Sequence, residues 1–330
     1  MTIGPPSQPE PVLSQDEVGI LVSSAMTAPS MHNTQPWRFE IIGPLVDVIL
    51  DQDRTLPAED PAGRFIRIGL GAATFNLRVA AAMLGYRTNF ALDPDRAHPE
   101  IVARVFLGER QTTVPPLGDL YGELRRRHTY RGPMMAAELP PRVLDLVAEA
   151  ARAEGADLHW LDAGERDKLG QILHEADELD GLDEDHLTER GRWIGGDRTS
   201  DGVPEATLGP LPAGPAAVRN LSAGFDNPGR SAAVFEQTPV IAILTTPADG
   251  PADWLRAGMG LQRALLTAAS YDLAASFLNQ ALEYAQLRLP VEELVGHTVR
   301  PQLIIRVGYP AHEGGVAPRR PWQEAVTDWH

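Results

Sequence analysis

Cysteine is absent from the 330 residues of the chain. Its absence excludes disulfide bonds, thiolate metal sites, iron–sulfur clusters and a cysteine nucleophile. Lysine is nearly absent, because Lys168 is the only one, and it lies in ERDKLGQIL, which predicts an ordinary helix. A phosphate-binding loop of the Walker type and a pyridoxal phosphate Schiff base each need a lysine in a different setting, so the sequence excludes both classes.

Long apolar runs are missing as well. No stretch reaches the length of a membrane-spanning helix, and the first residues, MTIGPPSQPEPVLSQDEV, are proline-rich and acidic where a signal peptide would be basic and then apolar. Negative charge predominates, since the formal net charge is -16. Nucleic acid and membranes are therefore not expected as partners. The sequence predicts a cytoplasmic protein of ordinary globular composition.

The segment from Ala28 to Phe39, APSMHNTQPWRF, has little helical or strand periodicity. Pro29 and Pro36 fix its backbone at two points, and Trp37 supplies a large flat apolar face. Hydrogen-bonding groups lie between them at Ser30, His32, Asn33, Thr34 and Gln35. A planar ligand with polar edges suits this combination. The alternative is a capped loop that enters a strand with Trp37 in the core, and the residues alone leave both interpretations open.

Arginines cluster in two places, in RRRHTYRGPM at 125–134 and in PRRP at 318–321. A phosphate monoester is close to a dianion at neutral pH, and guanidinium groups meet its oxygens in paired, charge-assisted bonds. In isolation residues 125–127 also fit a solvated basic surface. Because the chain as a whole is acidic, the clusters indicate a local anion site. The candidates are Arg127, Arg131, Arg319 and Arg320.

Three motifs in order carry a resemblance to a known family. PSMHNTQPW resembles the flavin-contacting motif of the nitroreductase family, RRRHTYRGPM resembles its arginine-rich opening segment, and PRRP resembles its closing phosphate-contacting segment. The resemblance runs from about Ser14 to Pro321 and points to the Acg-type branch. It implies one flavin mononucleotide (FMN) per chain, contacted by Pro29, Ser30, Met31, His32, Asn33, Gln35, Arg127, Thr129, Arg131, Pro318, Arg319 and Arg320.

A further segment, DLAASFLNQ at 272–280, aligns with the family segment that faces flavin N5. The resemblance therefore implies that Ser276, Asn279 and Gln280 lie near the flavin ring. Without the resemblance, the same residues fit a connection between a helix and a strand with polar caps.

The implied chemistry belongs to the cofactor. Hydride would pass from NAD(P)H to FMN N5 and on to a nitroaromatic or quinone-type acceptor, so no catalytic side chain is predicted. A hydrolase that uses Ser30 and His32 is disfavoured, because neighbours two positions apart in an extended segment rarely bond. One alternative is a non-catalytic protein that stores or sequesters FMN. Another is an interaction scaffold that binds no flavin.

Two polar segments of the second half need separate interpretation. Residues 191–230 are rich in glycine and proline without hydrophobic periodicity, which is typical of a lid, a binding segment or a mobile insertion. A lid closed over the flavin could shield its ring and block a nicotinamide. Residues 174–190, HEADELDGLDEDHLTER, match no calcium or zinc motif. They predict a solvated acidic helix and turn, and no metal site.

Local patterns predict several elements of the first half. Ser14 as N-cap with Glu17 three positions later forms a capping-box pattern that starts a helix over 14–28. Residues 37–50 predict two short strands around a Gly-Pro turn, 65–85 predict a long helix, and 101–107 predict another strand. The Gly-Leu-Gly within the long helix lacks the third glycine of a dinucleotide-binding motif.

Residues 255–260, LRAGMG, echo residues 66–71, IRIGLG, and indicate a diverged duplication, although chance similarity between alanine-rich helices is the alternative. Paired glycines would let two long helices approach closely at a pseudo-two-fold axis. The sequence thus predicts an α+β, nitroreductase-like fold with two pseudo-symmetric halves that imitate a nitroreductase dimer. We expect one domain over 1–330, with halves of about 14–120 and 121–330, present as a monomer or homodimer.

Overall fold

The computed structural model describes residues 13–214, 216, 218–221 and 229–329. The helices of these ranges are α1 Gln15–Ala25, α2 Arg64–Met83, α3 Glu123–Arg126, α4 Pro141–Arg152, α5 Ala163–Asp180, α6 Glu184–Gly191, α7 Pro251–Ala269, α8 Gln280–Glu283 and α9 Ala285–Val295. The strands are β1 Trp37–Ile42, β2 Leu45–Leu50, β3 Tyr86–Leu92, β4 Ile101–Arg110, β5 Asp157–Trp160, β6 Leu211–Pro212, β7 Ala232–Ala233, β8 Val240–Thr246, β9 Ala274–Phe277, β10 Arg300–Gly308 and β11 Val326–Trp329.

The two larger sheets share one topology. In the first sheet four strands follow the order β1-β2-β4-β3, with α2 connecting β2 to β3, and in the second they follow β5-β8-β10-β9, with α7 connecting β8 to β9. Neighbours within each set of four are antiparallel. This repeated order confirms the predicted α+β fold with two pseudo-symmetric halves.

The central helices α2 and α7 pack against each other without space for side chains at their closest points. A Cβ atom on Gly71 would lie 2.1 Å from the carbonyl oxygen of Leu255, and one on Gly258 would lie 1.9 Å from that of Ile68. The predicted close approach through glycine is therefore confirmed.

The register of the duplication differs from the predicted one. The reciprocal contacts relate Gly71 to Gly258, whereas the sequence pattern paired Gly71 with Gly260. Helices α2 and α7 begin at Arg64 and Pro251, which lie 187 positions apart. Gly71 and Gly258 are separated by the same number of positions. The predicted register was wrong by two residues, because alanine-rich helices match one another acceptably in several alignments.

Local predictions for the first half agree with the structure. Helix α1 has the capping box between Ser14 and Glu17, and β1 and β2 form a hairpin whose turn contains Gly43 at φ 54°. Strand β4 covers its predicted range, whereas α2 ends at Met83, two residues before the predicted end. The prediction for α1 was too long, because its last turn closes at Met26 and a turn follows before Pro29.

The end of the chain returns to the first half. Strand β11 pairs in parallel with β1, where Val326 lies opposite Phe39. The first sheet therefore contains a strand from the second half, and the division into residues 14–120 and 121–330 stays a prediction. Among the described residues, no helix combines the length and the apolar character needed to cross a bilayer.

Candidate functional site

The loop between α1 and β1 has an unusual backbone. His32, Asn33 and Gln35 adopt positive φ angles of 49°, 56° and 52°, a conformation that side-chain-bearing residues rarely adopt and that costs free energy. The hydroxyl oxygen of Ser30 accepts a 3.0 Å hydrogen bond from the Gln35 amide and closes the loop on itself. Strain of this kind persists only where surrounding contacts impose it.

Those contacts come from distant parts of the chain. The side-chain amide of Asn33 donates to the carbonyl oxygens of Gly202 at 2.8 Å and Pro318 at 3.0 Å. The side-chain amide of Gln35 donates to the carbonyl oxygen of Ser200 at 2.8 Å. Residues of the glycine- and proline-rich segment and of the PRRP segment thus hold the loop.

A cavity lies between the loop, α2, α7 and the second sheet; we call it the central cavity. It encloses about 950 Å³ of space, its opening to solvent included. Its apolar wall includes Met31, Phe65, Leu261, Phe277 and Leu303, and its polar wall includes His32, Arg219, Ser276, Asn279, Glu283 and Arg306. An apolar interior with a few polar groups is typical of a small-molecule site.

A second cavity, the arginine cavity, adjoins the first, because Pro29, Ser30, Thr129 and Arg131 line both. It encloses about 760 Å³, again with its opening included. Its other lining residues include Asn33, Arg125, Arg127, His128 and Arg319. The central cavity thus supplies most of the apolar lining, and the adjoining arginine cavity is the cationic end of the site.

Three arginines of the cationic end have no carboxylate partner among the described residues. Arg127 donates to the Thr27 carbonyl oxygen at 2.9 Å, and its Nε atom is buried and has no hydrogen-bond partner. Arg131 donates to the carbonyl oxygen of Thr207 at 3.2 Å. Arg319 donates only to carbonyl groups and to one side-chain amide oxygen.

Burial makes these positive charges unfavourable. Burial and the charge of Arg319 lower the pKa of Arg127 to about 9. Burial likewise lowers the pKa values of Arg131 and Arg319 to about 10. Guanidinium groups that are desolvated and lack a counter-ion are stabilised by an anion that enters between them. The geometry and the charge therefore indicate an anion site at this end of the space.

Most of the predicted site residues lie together in these walls. The lining set comprises Pro29, Ser30, Met31, His32, Asn33, Arg127, Thr129, Arg131, Ser276, Asn279 and Arg319. The other four predicted residues, Gln35, Gln280, Pro318 and Arg320, are not part of either wall. Their predicted contacts with a cofactor stay predictions.

The four residues outside the walls support the site from behind. Arg320 donates to the carbonyl oxygens of Gln35 and Trp37, each at 3.1 Å. The side chain of Gln280 is buried and donates to Asp177 at 3.3 Å. These contacts fix the loop and the start of α8, and they leave the adjacent lining residues in place.

Sequence reasoning missed Arg306, Arg219 and Glu283, which line the central cavity. Arg306 lies in the buried strand β10 and pairs with Glu236, and it also donates to Ser276 at 3.2 Å. A charged residue within the otherwise apolar run LIIRVGY was a signal that could have identified it. No comparable signal marks Arg219, since its partner Glu283 is 64 positions away.

The interpretation of residues 174–190 as a solvated acidic helix was wrong for part of the segment. Asp180, His186, Glu189 and Arg190 are all buried. The carboxylate of Glu189 accepts hydrogen bonds from the amides of residues 58 and 59, and Arg190 donates to Asp180 and to the Glu59 carboxylate. Sequence periodicity could not show this, because the partners lie in a distant loop.

Arg219 inserts between carboxylates at the edge of the central cavity. It donates two bonds to Glu283, at 2.5 and 2.7 Å, and lies 3.7 Å from both Glu59 and Asp180. Burial alone would lower its pKa, but the three carboxylates outweigh burial and raise it. Val203 and Leu221, from the same segment of 191–230, also line the cavity. The described part of this segment thus forms one wall.

Comparison with known proteins shows the family. No family model matches the chain. The protein named "Putative NAD(P)H nitroreductase Rv3131" from Mycobacterium tuberculosis H37Rv is 30% identical over 324 residues, which are 95% of this chain and 92% of that protein. The chain therefore belongs to the nitroreductase family. It is similar to the Acg-type branch in particular, since "Putative NAD(P)H nitroreductase acg" of the same organism is 29% identical over 328 residues, 96% of this chain and 97% of that protein.

Solved structures of nitroreductases resemble parts of the chain. A nitroreductase with bound FMN from Bacteroides fragilis is 14% identical, covers 60% of this chain and 95% of its own, and gives a TM-score of 0.35. An FMN-dependent nitroreductase from Clostridium difficile is 12% identical, covers 59% of this chain and 90% of its own, and gives a TM-score of 0.34.

Proposed function

We propose that the chain binds one FMN, with the phosphate in the arginine cavity and the ring system in the central cavity. The observation that carries this proposal is the set of three desolvated arginines, Arg127, Arg131 and Arg319, which lack carboxylate partners among the described residues. A phosphate monoester supplies nearly two negative charges and acceptor oxygens for their free N–H groups. The membership of the chain in the nitroreductase family supports the choice of a flavin.

The central cavity suits the flavin ring. Phe65, Leu261 and Leu303 offer apolar surface to its planar faces, while Ser276 and Asn279 offer polar groups at its edge. Arg306 adds a positive charge from β10, although Glu236 partly neutralises it. When bound, FMN supplies the two-electron chemistry, and the protein supplies binding, orientation and electrostatics.

The reaction we propose is oxidation of NAD(P)H with reduction of a nitroaromatic or quinone-type acceptor. Support comes from the relatives named NAD(P)H nitroreductases. Val203 and Leu221 line the central cavity, and in this proposal a nicotinamide must reach the ring beside them. If it cannot enter, the chain stores or sequesters FMN, which is the alternative function.

One anaerobic experiment separates these functions. Purified protein is loaded with FMN, and its visible spectrum is recorded before and after NADPH, then NADH, with dithionite last. Loss of the flavin absorbance on adding a nicotinamide is the expected result. Absorbance that survives both nicotinamides and yields to dithionite would identify the storage protein. A protein that retains no flavin after loading would contradict the cofactor assignment itself. The same spectrum, set against the protein concentration, tests the predicted stoichiometry of one FMN per chain.

A further inference from the structure

His32, in the wall of the central cavity, has one ring nitrogen bound to a carboxylate and the other without a hydrogen-bond partner among the described residues. Its Nε2 lies 2.6 Å from Oε2 of Glu59, and the side chains are 3% and 0% exposed. The Nδ1 atom has no hydrogen-bond partner among the described residues, yet it is not one of the enclosed unpaired atoms. His32 lines the central cavity, so Nδ1 is an unpartnered nitrogen of a residue in the cavity wall.

Glu59 is held as a carboxylate by the positive and hydrogen-bonding groups around it. Burial raises the pKa of Glu59, but His32, Arg219 and Arg190 outweigh burial and lower the pKa to about 2. Arg190 donates to Glu59 Oε1 through two nitrogens, at 2.7 and 3.1 Å. An ionised carboxylate only accepts, so Nε2 of His32 must donate. The Nδ1 atom therefore carries the proton that the imidazole ring can gain or lose.

We infer that His32 is the proton-transfer residue of the central cavity and that Glu59 is the residue that positions it. This inference rests on the proposed flavin oxidoreductase function. A quinone gains two electrons and one proton as hydride equivalent from NAD(P)H, and His32 supplies the second proton from Nδ1 to complete the hydroquinone. A nitro group gains the same two electrons and two protons before it loses water to become a nitroso group. His32 then recovers a proton from solvent.

The strained backbone of the loop supports this role. His32 adopts a φ of 49°, and strain of this kind at a cavity wall is typical of functional positions. The charged groups that face the same space are Arg131, Arg219, Glu283 and Arg306, and Glu59 with Arg190 lies behind the ring.

The test uses His32→Gln, whose side-chain amide can still donate to Glu59 but cannot carry a transferable proton. The first measurement is the pH dependence of the midpoint potential of the bound flavin near neutral pH, which gives the protons taken up per two electrons. We expect two for the wild type and one for the variant. The second is the solvent deuterium isotope effect on reoxidation by a quinone, which we expect to fall towards unity. FMN affinity is measured in parallel, so that the proton count and the isotope effect are compared only on protein that is saturated with FMN.

Two further variants serve as a control and as a test of the positioning residue. His174→Gln alters an exposed histidine of α5 and should leave the proton count and the isotope effect unchanged. Glu59→Gln replaces the carboxylate that accepts from Nε2 with an amide that can also donate, so the orientation and tautomer of His32 are no longer fixed and the proton count should also fall. A wild-type proton count and isotope effect in His32→Gln would overturn the inference. Loss of FMN binding in His32→Gln combined with a wild-type count in Glu59→Gln would also overturn it, because His32 would then only clamp the loop. A wild type that binds no flavin would instead contradict the proposed function.

Discussion

Arg319 Nη1 donates a 2.9 Å hydrogen bond to the side-chain oxygen of Asn33, across 286 positions of sequence. The same guanidinium group donates to the carbonyl oxygens of Met26 and Ala28. One arginine thus joins the end of the chain to the loop after α1. Because its charge has no carboxylate partner among the described residues, this junction also presents a cation to the arginine cavity.

The charge at this cavity leads to a prediction for flavin affinity. Arg131→Ala should weaken FMN binding by roughly 1.5 to 3 kcal/mol, the range for hydrogen bonds to charged groups. Arg319→Ala should weaken it at least as much, since it also releases the loop. Fluorescence titration measures both. Riboflavin, which lacks the phosphate, should lose little affinity in Arg131→Ala, and Arg142→Ala, on the exposed face of α4, should match the wild type. Wild-type FMN affinity in both cavity variants would contradict the phosphate assignment.

The contact between the central helices predicts opposite effects for two substitutions of the same type. Gly71→Ala places a Cβ atom 2.1 Å from a backbone oxygen, so α2 and α7 must separate, and we expect a loss of at least about 3 kcal/mol in the free energy of unfolding. Gly170→Ala, within α5, meets no atom within 4 Å and should stabilise the fold by about 0.5 to 1 kcal/mol. Urea denaturation gives both values. Equal stability of the two variants would show that the helices do not meet at Gly71.

The buried carboxylate of Glu59 predicts a loss of stability in acid. Its pKa is about 2 in the folded protein, below its ordinary value of 4.5. The contribution of Glu59 is therefore complete above about pH 4.5 and is lost as the pH falls towards 2. The free energy of unfolding, measured by urea denaturation across this pH range, should fall less in Glu59→Gln than in the wild type. In the control variant Asp167→Asn, at an exposed position of α5, the free energy of unfolding should fall with pH as it does in the wild type. If it fell equally in Glu59→Gln, the buried pairings of Glu59 would be contradicted.

The contacts of Arg219 lead to a prediction for the rate at which FMN dissociates. Its bonds to Glu283 connect a described part of the 191–230 segment to the cavity wall, so Arg219→Ala should open the wall and leave a buried carboxylate unpaired. We expect FMN to dissociate at least about tenfold faster, equivalent to 1.4 kcal/mol. Stopped-flow fluorescence with an excess of a flavin-trapping protein measures this rate. FMN should dissociate from the control variant Arg192→Ala, changed at an exposed position of the same segment, at the wild-type rate. An unchanged rate in Arg219→Ala would show that the contact between Arg219 and Glu283 does not retain FMN.

Much of the fold could be predicted because its signals are local. The capping box of Ser14 and Glu17, the Gly-Pro turn of the first hairpin and the glycines of α2 each depend on a few neighbouring residues, and all agree with the structure. The register between α2 and α7 could not be predicted. It depends on which backbone atoms meet between two helices of similar composition, and small residues permit several alignments.

The candidate site divides in the same way. Distinctive residue types in short motifs identified Ser30, His32, Arg127 and Arg131, which the structure brings together. The sequence did not identify Arg219 and Glu283 as site residues, because single charged residues outside a motif are usually predicted to lie on the solvated surface. Their burial depends on partners far away in the chain.

By itself the sequence determined the family, the two-fold plan of the fold and the presence of a cationic site, since glycine, proline and arginine constrain structure wherever they occur. Only the tertiary structure decided which charges are neutralised. It pairs Arg190 and Arg219 with buried carboxylates but leaves Arg127 without one among the described residues. The physical reason is that a charge gains or loses its partner through packing across hundreds of residues, and the energy of that pairing depends on desolvation, which has no local signal in sequence.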